Sequence, residues 1–175
     1  MEMKSNRIRG FEAVTGFSPK LPVRSTLCSA GYDFFALEDI EITTSIVPEL
    51  DWDFELSVYR FNFDSPIIYF DKPKVVKTGV KAYMMPFEFL QLQVRSSLGK
   101  QGLIIPNSPA IIDADYYGNE KNEGHIMGMF LNLGTKDITI KKGEHFMQGI
   151  FQTYQLADGD MAANERKGGI GSTNK

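Results

Sequence analysis

Apolar and polar residues alternate with a period of two in several parts of this chain. Between Glu88 and Arg95, Leu90, Leu92 and Val94 fall on one face and Gln91, Gln93 and Arg95 on the other, the pattern of a half-buried strand. Asp137 to Ile140 alternates again, and Lys141-Lys142-Gly143 then marks a turn before the apolar stretch Phe146 to Phe151. His125 to Leu133 is a nearly continuous apolar run, as expected of a strand covered on both faces. A shorter mixture from Arg7 to Val14, with Ile8, Phe11 and Val14, predicts a first strand. Short strands punctuated by turns every ten or so residues predict an all-β barrel or sandwich.

Two segments depart from this rhythm. From about Ser45 to Phe70 aromatic and aliphatic residues crowd together, and Trp52, Phe54, Leu56 and Val58 alternate with Asp51, Asp53, Glu55 and Ser57. That stretch predicts an added β-hairpin. The chain from Asp160 to Lys175 has Gly168, Gly169 and Gly171 and few apolar side chains, so it is expected to be mobile unless something holds it. The organisation expected is a β-barrel domain over 1–159, with an aromatic-rich β insertion at about 45–70, and a glycine-rich arm over 160–175.

Composition narrows the class. A length of 175 residues suits one domain with a substantial core, and 42% hydrophobic with 23% charged residues is globular rather than disordered. Nineteen Lys and Arg against 22 Asp and Glu leave a charge of −3. That balance excludes a nucleic-acid groove, which needs a basic surface, but not the binding of a small anion. The single cysteine, Cys28, excludes an internal disulfide and any Cys-rich zinc site, and reads as a small packed residue rather than a nucleophile. No apolar run approaches the roughly 20 residues of a membrane span, and Met1 to Gly10 has no apolar signal core. A cytoplasmic protein with no membrane association is the expectation.

Four stretches offer chemistry. Ala30-Gly31-Tyr32-Asp33 precedes a strand, and Arg95-Ser96-Ser97 follows one. A guanidinium beside two hydroxyls at a strand end suits a phosphate, although a plain surface turn has the same composition. Asp113 and Asp115 flank Ala114; a strand over Ile111 to Tyr117 would aim both carboxylates to one face, where one could orient a water. The alternative is an exposed Asp-rich turn. Tyr116 fits a core ring or a stacking platform equally well. In the tail, glycines let backbone N–H groups converge on an anion, with Arg166 and Lys167 bringing charge and Ser172 and Thr173 hydroxyls; a disordered terminus is the simpler reading. No G-x-x-x-x-G-K-[ST] is present, and His125 and His145 lack neighbours spaced as zinc ligands.

Taken in order, these stretches resemble the five motifs of the trimeric dUTPase (deoxyuridine triphosphate diphosphatase) family. The motifs match as Ala30-Gly31-Tyr32-Asp33, Arg95-Ser96-Ser97, Ile112-Asp113-Ala114-Asp115-Tyr116 with Asn107 upstream, Gly143-Glu144-His145-Phe146-Met147-Gln148, and the glycine-rich tail. Asp113 to Asn119 followed by Asn122-Glu123-Gly124-His125 looks most like versions from Gram-positive bacteria and their phages. The resemblance implies an all-β, distorted jelly-roll, barrel-like fold that forms a homotrimer with exchanged C-terminal arms and sites built from three chains. It implies hydrolysis of dUTP to dUMP and pyrophosphate with Mg2+. Asp113 would activate the water, Tyr116 would lie beneath the deoxyribose, and Asn107 would read uracil. Arg95, Ser96, Ser97 and Gln148 would contact phosphates, and Asp33 would act on the metal through water. Arg166, Gly169, Ile170, Gly171 and Ser172 would close over the nucleotide from another subunit.

The chain also departs from the family pattern. Ile170 stands where the family tail usually has a Phe that stacks on the base, the tail is one residue shorter after Arg166 than in many relatives, and minimal members lack the 45–70 segment. Two rivals follow. A dCTP deaminase shares the fold but needs a Glu three residues before an Asn, and here Met129 precedes Asn132; a thioether cannot shuttle protons. A nucleotide-gated regulatory protein-binding module of phage type is motivated by the insertion and by Ile170, with a protein partner at the insertion.

Overall fold

The computed structural model describes residues 7–53, 58–68, 73–163 and 166, with backbone alone for 47–53 and 58–68. In chain order the strands begin with β1 (Gly10–Ala13), β2 (Val23–Arg24), β3 (Tyr32–Phe35), β4 (Ile40–Ile42), β5 (Ile46–Asp53), β6 (Val58–Ile68) and β7 (Lys74–Lys77). They continue with β8 (Val80–Tyr83), β9 (Glu88–Val94), β10 (Leu103–Ile104), β11 (Ala110–Asp113), β12 (Met127–Asn132), β13 (Ile138–Ile140) and β14 (His145–Thr153). The helical elements among the described residues are one α-turn, α1 (Ser96–Gly99), and one 3-10 turn, Ala114–Tyr116. The fold is all-β, as the alternation predicts.

The main sheet has five antiparallel strands in the order β11-β9-β14-β3-β2. β9 lies inside it, and its period-two pattern is realised: Leu90 is 0% and Leu92 1% exposed, with Val94 packed against the same core. Each such fully buried leucine contributes about 1.5–3 kcal/mol relative to exposure. A second sheet, β10-β12-β7, closes the other side of the core. Its middle strand is the predicted apolar run, shortened to Met127–Asn132, with Gly128, Phe130, Leu131 and Asn132 buried. Phe34, Phe130 and Phe146 fill the space between the sheets. The first strand is shorter than its apolar pattern, pairing with β8 only over Gly10–Ala13.

The 45–70 stretch forms β5 and β6, paired antiparallel from Ile46↔Ile68 to Asp53↔Val58 with one irregularity after Val47. Their ladder joins no other sheet among the described residues.

A backbone crossing fixes how β9 is followed by β10. Gly102 has φ +91°, and a Cβ there would lie 2.4 Å from the Gly134 nitrogen; a Cβ on Gly134 would lie 2.1 Å from the Gln101 oxygen. Leu133 N–H donates to the Gly102 carbonyl at 2.9 Å. Two main chains touch where no side chain fits, so both positions require glycine. Asn132, 0% exposed, ties the same corner: its amide donates to the carbonyls of Ile42 and Lys136 at 3.1 and 2.8 Å and accepts from Gly134 N–H at 2.9 Å.

Candidate active site

The first cluster forms where β11 ends. Asp113 is its last residue, and the turn before it, between β10 and β11, presents Asn107 to solvent. The expected strand does not continue to Tyr117. It gives way after Asp113 to the 3-10 turn, so strand alternation is not what brings the two carboxylates together. Arg166 does so instead. Its Nη2 pairs with Asp113, and its Nε donates to Asp115 Oδ1 at 2.8 Å. Both acids are half-exposed, at 51% and 57% of their side chains, so each ion pair is worth about 1 kcal/mol or less.

Tyr116 is the core ring that its sequence allowed, and it also faces a cavity. It is 4% exposed and belongs to the core, yet it also lines a cavity of about 240 Å³ with Asn107, Asp113, Met127, Met129 and Arg166. The Arg166 guanidinium carbon lies 5.8 Å from the centre of its ring. The cavity therefore combines apolar walls with one amide, one carboxylate and one guanidinium, the mostly apolar lining with a few polar groups that is usual for a small-molecule site.

The second cluster is built on the opposite end of β9. Arg95 leaves that strand, and α1 exposes Ser96 and Ser97 in a helical turn. Arg95 Nε reaches Asp33 Oδ1 at 3.1 Å, Ser25 Oγ donates to Asp33 Oδ2 at 2.6 Å, and His145 Nδ1 stands 3.8 Å from the same oxygen. Asp33 is 5% exposed, so its charge needs these partners. Gln148 is the register partner of Asp33 on one side and Gln93 on the other. Gly31 makes room for it: a Cβ there would lie 2.2 Å from Gln148 Oε1. A cleft of about 430 Å³ opens beside Arg95, Ser97, Glu144 and His145.

Within one chain the two clusters stay apart. Asp113 lies opposite Phe89 in the ladder, and Arg95 is six positions further along, from 89 to 95. At ~3.3 Å per residue that is about 20 Å, well beyond the length of a triphosphate. Gly169, Ile170, Gly171 and Ser172 fall outside the described residues.

Three other sequence expectations meet the structure here. Cys28 is exposed, not packed: it sits in a short loop whose Leu27 and Ser29 carbonyls accept from Arg24. His125 is buried, its Nε2 accepts from Gly79 N–H at 2.9 Å, and burial followed by the nearby Lys77 pushes its pKa down. Among the described residues no three His, Cys, Asp or Glu side chains cluster to hold a metal, and no helix is long and apolar enough to cross a membrane. Sequence reasoning missed Asn119 and Asn122, which hold Tyr116 from behind. Their one signal was the Asn122-Glu123-Gly124-His125 run, noted only for its likeness to other sequences.

The sheets define a protein of the jelly-roll-like all-β class. The family model for dUTPase matches residues 58–174, and the chain belongs to that family. It is similar to the deoxyuridine 5'-triphosphate nucleotidohydrolase of Lactococcus lactis, 39% identical over 173 residues covering 95% of this chain and 98% of the relative. Among solved structures it resembles the dUTPase of Streptococcus mutans, with a TM-score of 0.65 and 35% identity over 86% of this chain and 99% of that one. The dUTPase of Staphylococcus aureus phage phi11 shares the fold at a TM-score of 0.59 and 15% identity, covering 89% of this chain and 96% of that one.

Proposed function

We propose that this protein hydrolyses dUTP to dUMP and pyrophosphate. The observation that carries the reading is Asp113, half-exposed at the mouth of a cavity walled by Asn107 and Tyr116, in a chain similar over nearly its whole length to a named dUTP nucleotidohydrolase. A water held by the Asp113 carboxylate attacks the α-phosphorus. The water loses a proton to the carboxylate, the bond to the bridging oxygen breaks, and pyrophosphate leaves. Asn107 reads the edge of the base. The Tyr116 ring lies against the sugar, where an added 2′-hydroxyl finds neither space nor partner.

Arg95, Ser96, Ser97 and Gln148 serve as phosphate donors, but about 20 Å separates Arg95 from Asp113 in one chain. A second copy must therefore bring its arginine end to the first copy's carboxylate end. This spacing supports a site shared between copies; the family resemblance adds that the copies are three, with Arg166 and the residues from Gly169 to Ser172 closing the site from an exchanged arm. On substrate binding Arg166 would leave Asp113 for a phosphate.

The donor set fits Mg2+ only as a water-clad ion carried by the phosphates: no protein cage exists among the described residues, and both Asp33 oxygens already have partners. When bound, the ion would supply charge neutralisation at the triphosphate, and Asp33 would hold it through water. A soluble nucleotide substrate suits a cytoplasmic location.

The test is a nucleotide panel with metal and with chelator. Pyrophosphate release from dUTP, nearly absent with UTP, dCTP and dTTP, is the expected result, and a stable monomer by solution mass would contradict the shared site. Ammonia release from dCTP would instead identify a deaminase. The partner-binding alternative has one observation in its favour, the separate ladder of β5 and β6; a stable protein complex without hydrolysis would establish it.

A further inference from the structure

Tyr116 is held by more than packing. Its hydroxyl donates to the His125 carbonyl at 3.0 Å and accepts from Asn122 Nδ2 at 2.8 Å. Its own carbonyl accepts from Asn119 Nδ2 at 2.8 Å, and the same Nδ2 donates to Asn122 Oδ1 at 2.7 Å. The two asparagines thus grip the residue at both ends and grip each other. Each is fixed in turn: Asn119 Oδ1 accepts from Lys121 N–H and Asn122 N–H at 3.1 and 3.2 Å, and Asn122 Oδ1 accepts from Gly124 N–H at 3.1 Å.

The loop carrying this clamp is itself pinned. Gly124 has φ +85°, and a Cβ there would lie 2.7 Å from the Tyr116 carbonyl oxygen, so the main chain lies directly against the tyrosine. Glu123 adopts φ +59°, a conformation unfavourable to a non-glycine residue. Its carboxylate meets Lys81 Nζ at 3.0 Å and Thr15 Oγ1 at 3.0 Å, and those contacts hold its pKa down. A strained residue persists where its surroundings determine it.

We propose that Asn122, supported by Asn119, is a positioning residue that fixes the plane and depth of the Tyr116 ring, and thereby sets how strictly the site rejects a ribose. The inference rests on the dUTP-hydrolysing reading given above. A ring that can tilt or recede opens space for a 2′-hydroxyl while still supporting a deoxyribose, so the loss falls on discrimination rather than on turnover of the preferred substrate.

The experiment compares kcat/KM for dUTP and UTP in the full-length protein, its Asn122→Ala variant and its Tyr116→Phe variant, with thermal midpoints measured alongside. Tyr116→Phe keeps the ring and both asparagines and removes the hydroxyl with its bonds to Asn122 and the His125 carbonyl, so it tests the clamp from the ring side. The wild-type preference for dUTP is expected to fall about tenfold in each, chiefly through KM for UTP, and in Asn122→Ala, which touches no substrate, kcat for dUTP should stay within about threefold of wild type. The double variant should lose less than the sum of the two single ones, because the Asn122–Tyr116 bond is common to both. Wild-type discrimination with an unchanged ratio in Tyr116→Phe overturns the proposal alone, even where Asn122→Ala fails to fold. A wild-type protein that hydrolyses neither nucleotide overturns the functional reading and the proposal with it.

Discussion

The two ends of β9 build their chemistry in opposite ways. At the Arg95 end the polar groups sit on a ladder: Asp33, Gln148 and Gln93 are direct cross-strand partners in three adjacent strands. At the Asp113 end the strand stops, and Tyr116 and Asp115 stand on a 3-10 turn backed by a loop in which asparagine side chains replace the ladder. A ladder places rigid donors for a ligand whose charge is similar in every substrate. A side-chain-built loop can shape a wall around one particular ring and sugar. In the proposed function, the difference separates general phosphate binding from specific nucleoside recognition.

Substitutions at each end should therefore fail in different ways. The largest effect is expected from Asp113→Asn, which should lower pyrophosphate release about 10³-fold while calorimetry still detects nucleotide binding; normal turnover would remove Asp113 from the role of base. Arg95→Ala should be comparably inactive alone. Mixing it with Asp113→Asn under exchange of subunits should restore measurable turnover, since some sites then draw each end from an intact copy. Absence of recovery would show that both ends act within one chain.

Ending the chain at Gly159 should cost about 10²-fold in turnover, by loss of Arg166 and the arm, with no change in the number of subunits. A smaller effect is expected of Gly31→Ala, which pushes on the Gln148 amide: KM should rise about fivefold with kcat little changed.

The smallest effect concerns stability. Burial lowers the His125 pKa in the folded state, so the unfolded chain binds the proton more readily. Stability is then full above the ordinary histidine value of about 6.5 and declines as pH falls toward the lowered folded value. Replacing His125 with Gln should flatten the slope of the unfolding midpoint between about pH 7 and pH 5. An equal slope in both proteins would assign that dependence to other groups.

Much of the scaffold was legible because period-two alternation reports burial directly, as at Leu90 and Leu92. The breaks were not. Nothing in Ile111 to Tyr117 signals that the strand ends at Asp113, because a 3-10 turn needs only local backbone bonds and leaves no periodicity of its own. Cys28 misled because cysteine is usually buried, whereas the loop around it is organised by Arg24 and exposes it. Resemblance found the residues of both clusters, but the distance between them depends on register, which the Asp113↔Phe89 pairing supplies. The Asn119 and Asn122 clamp escaped because its bonds join side chains to the carbonyl and the hydroxyl of a tyrosine three and six residues away without a spacing rule.

β9 also acts as a ruler. Loops accept insertions and let the parts they carry drift, but a strand inside a sheet resists them: one residue added before Leu90, unless taken up in an irregularity like that between His145 and Met147 in β14, would turn Leu90 and Leu92 out of the core. The spacing between the carboxylate end and the arginine end is thus locked to the packing of the core. The loops around either end can change length and sequence, while the span between them stays at seven residues for as long as the protein folds at all.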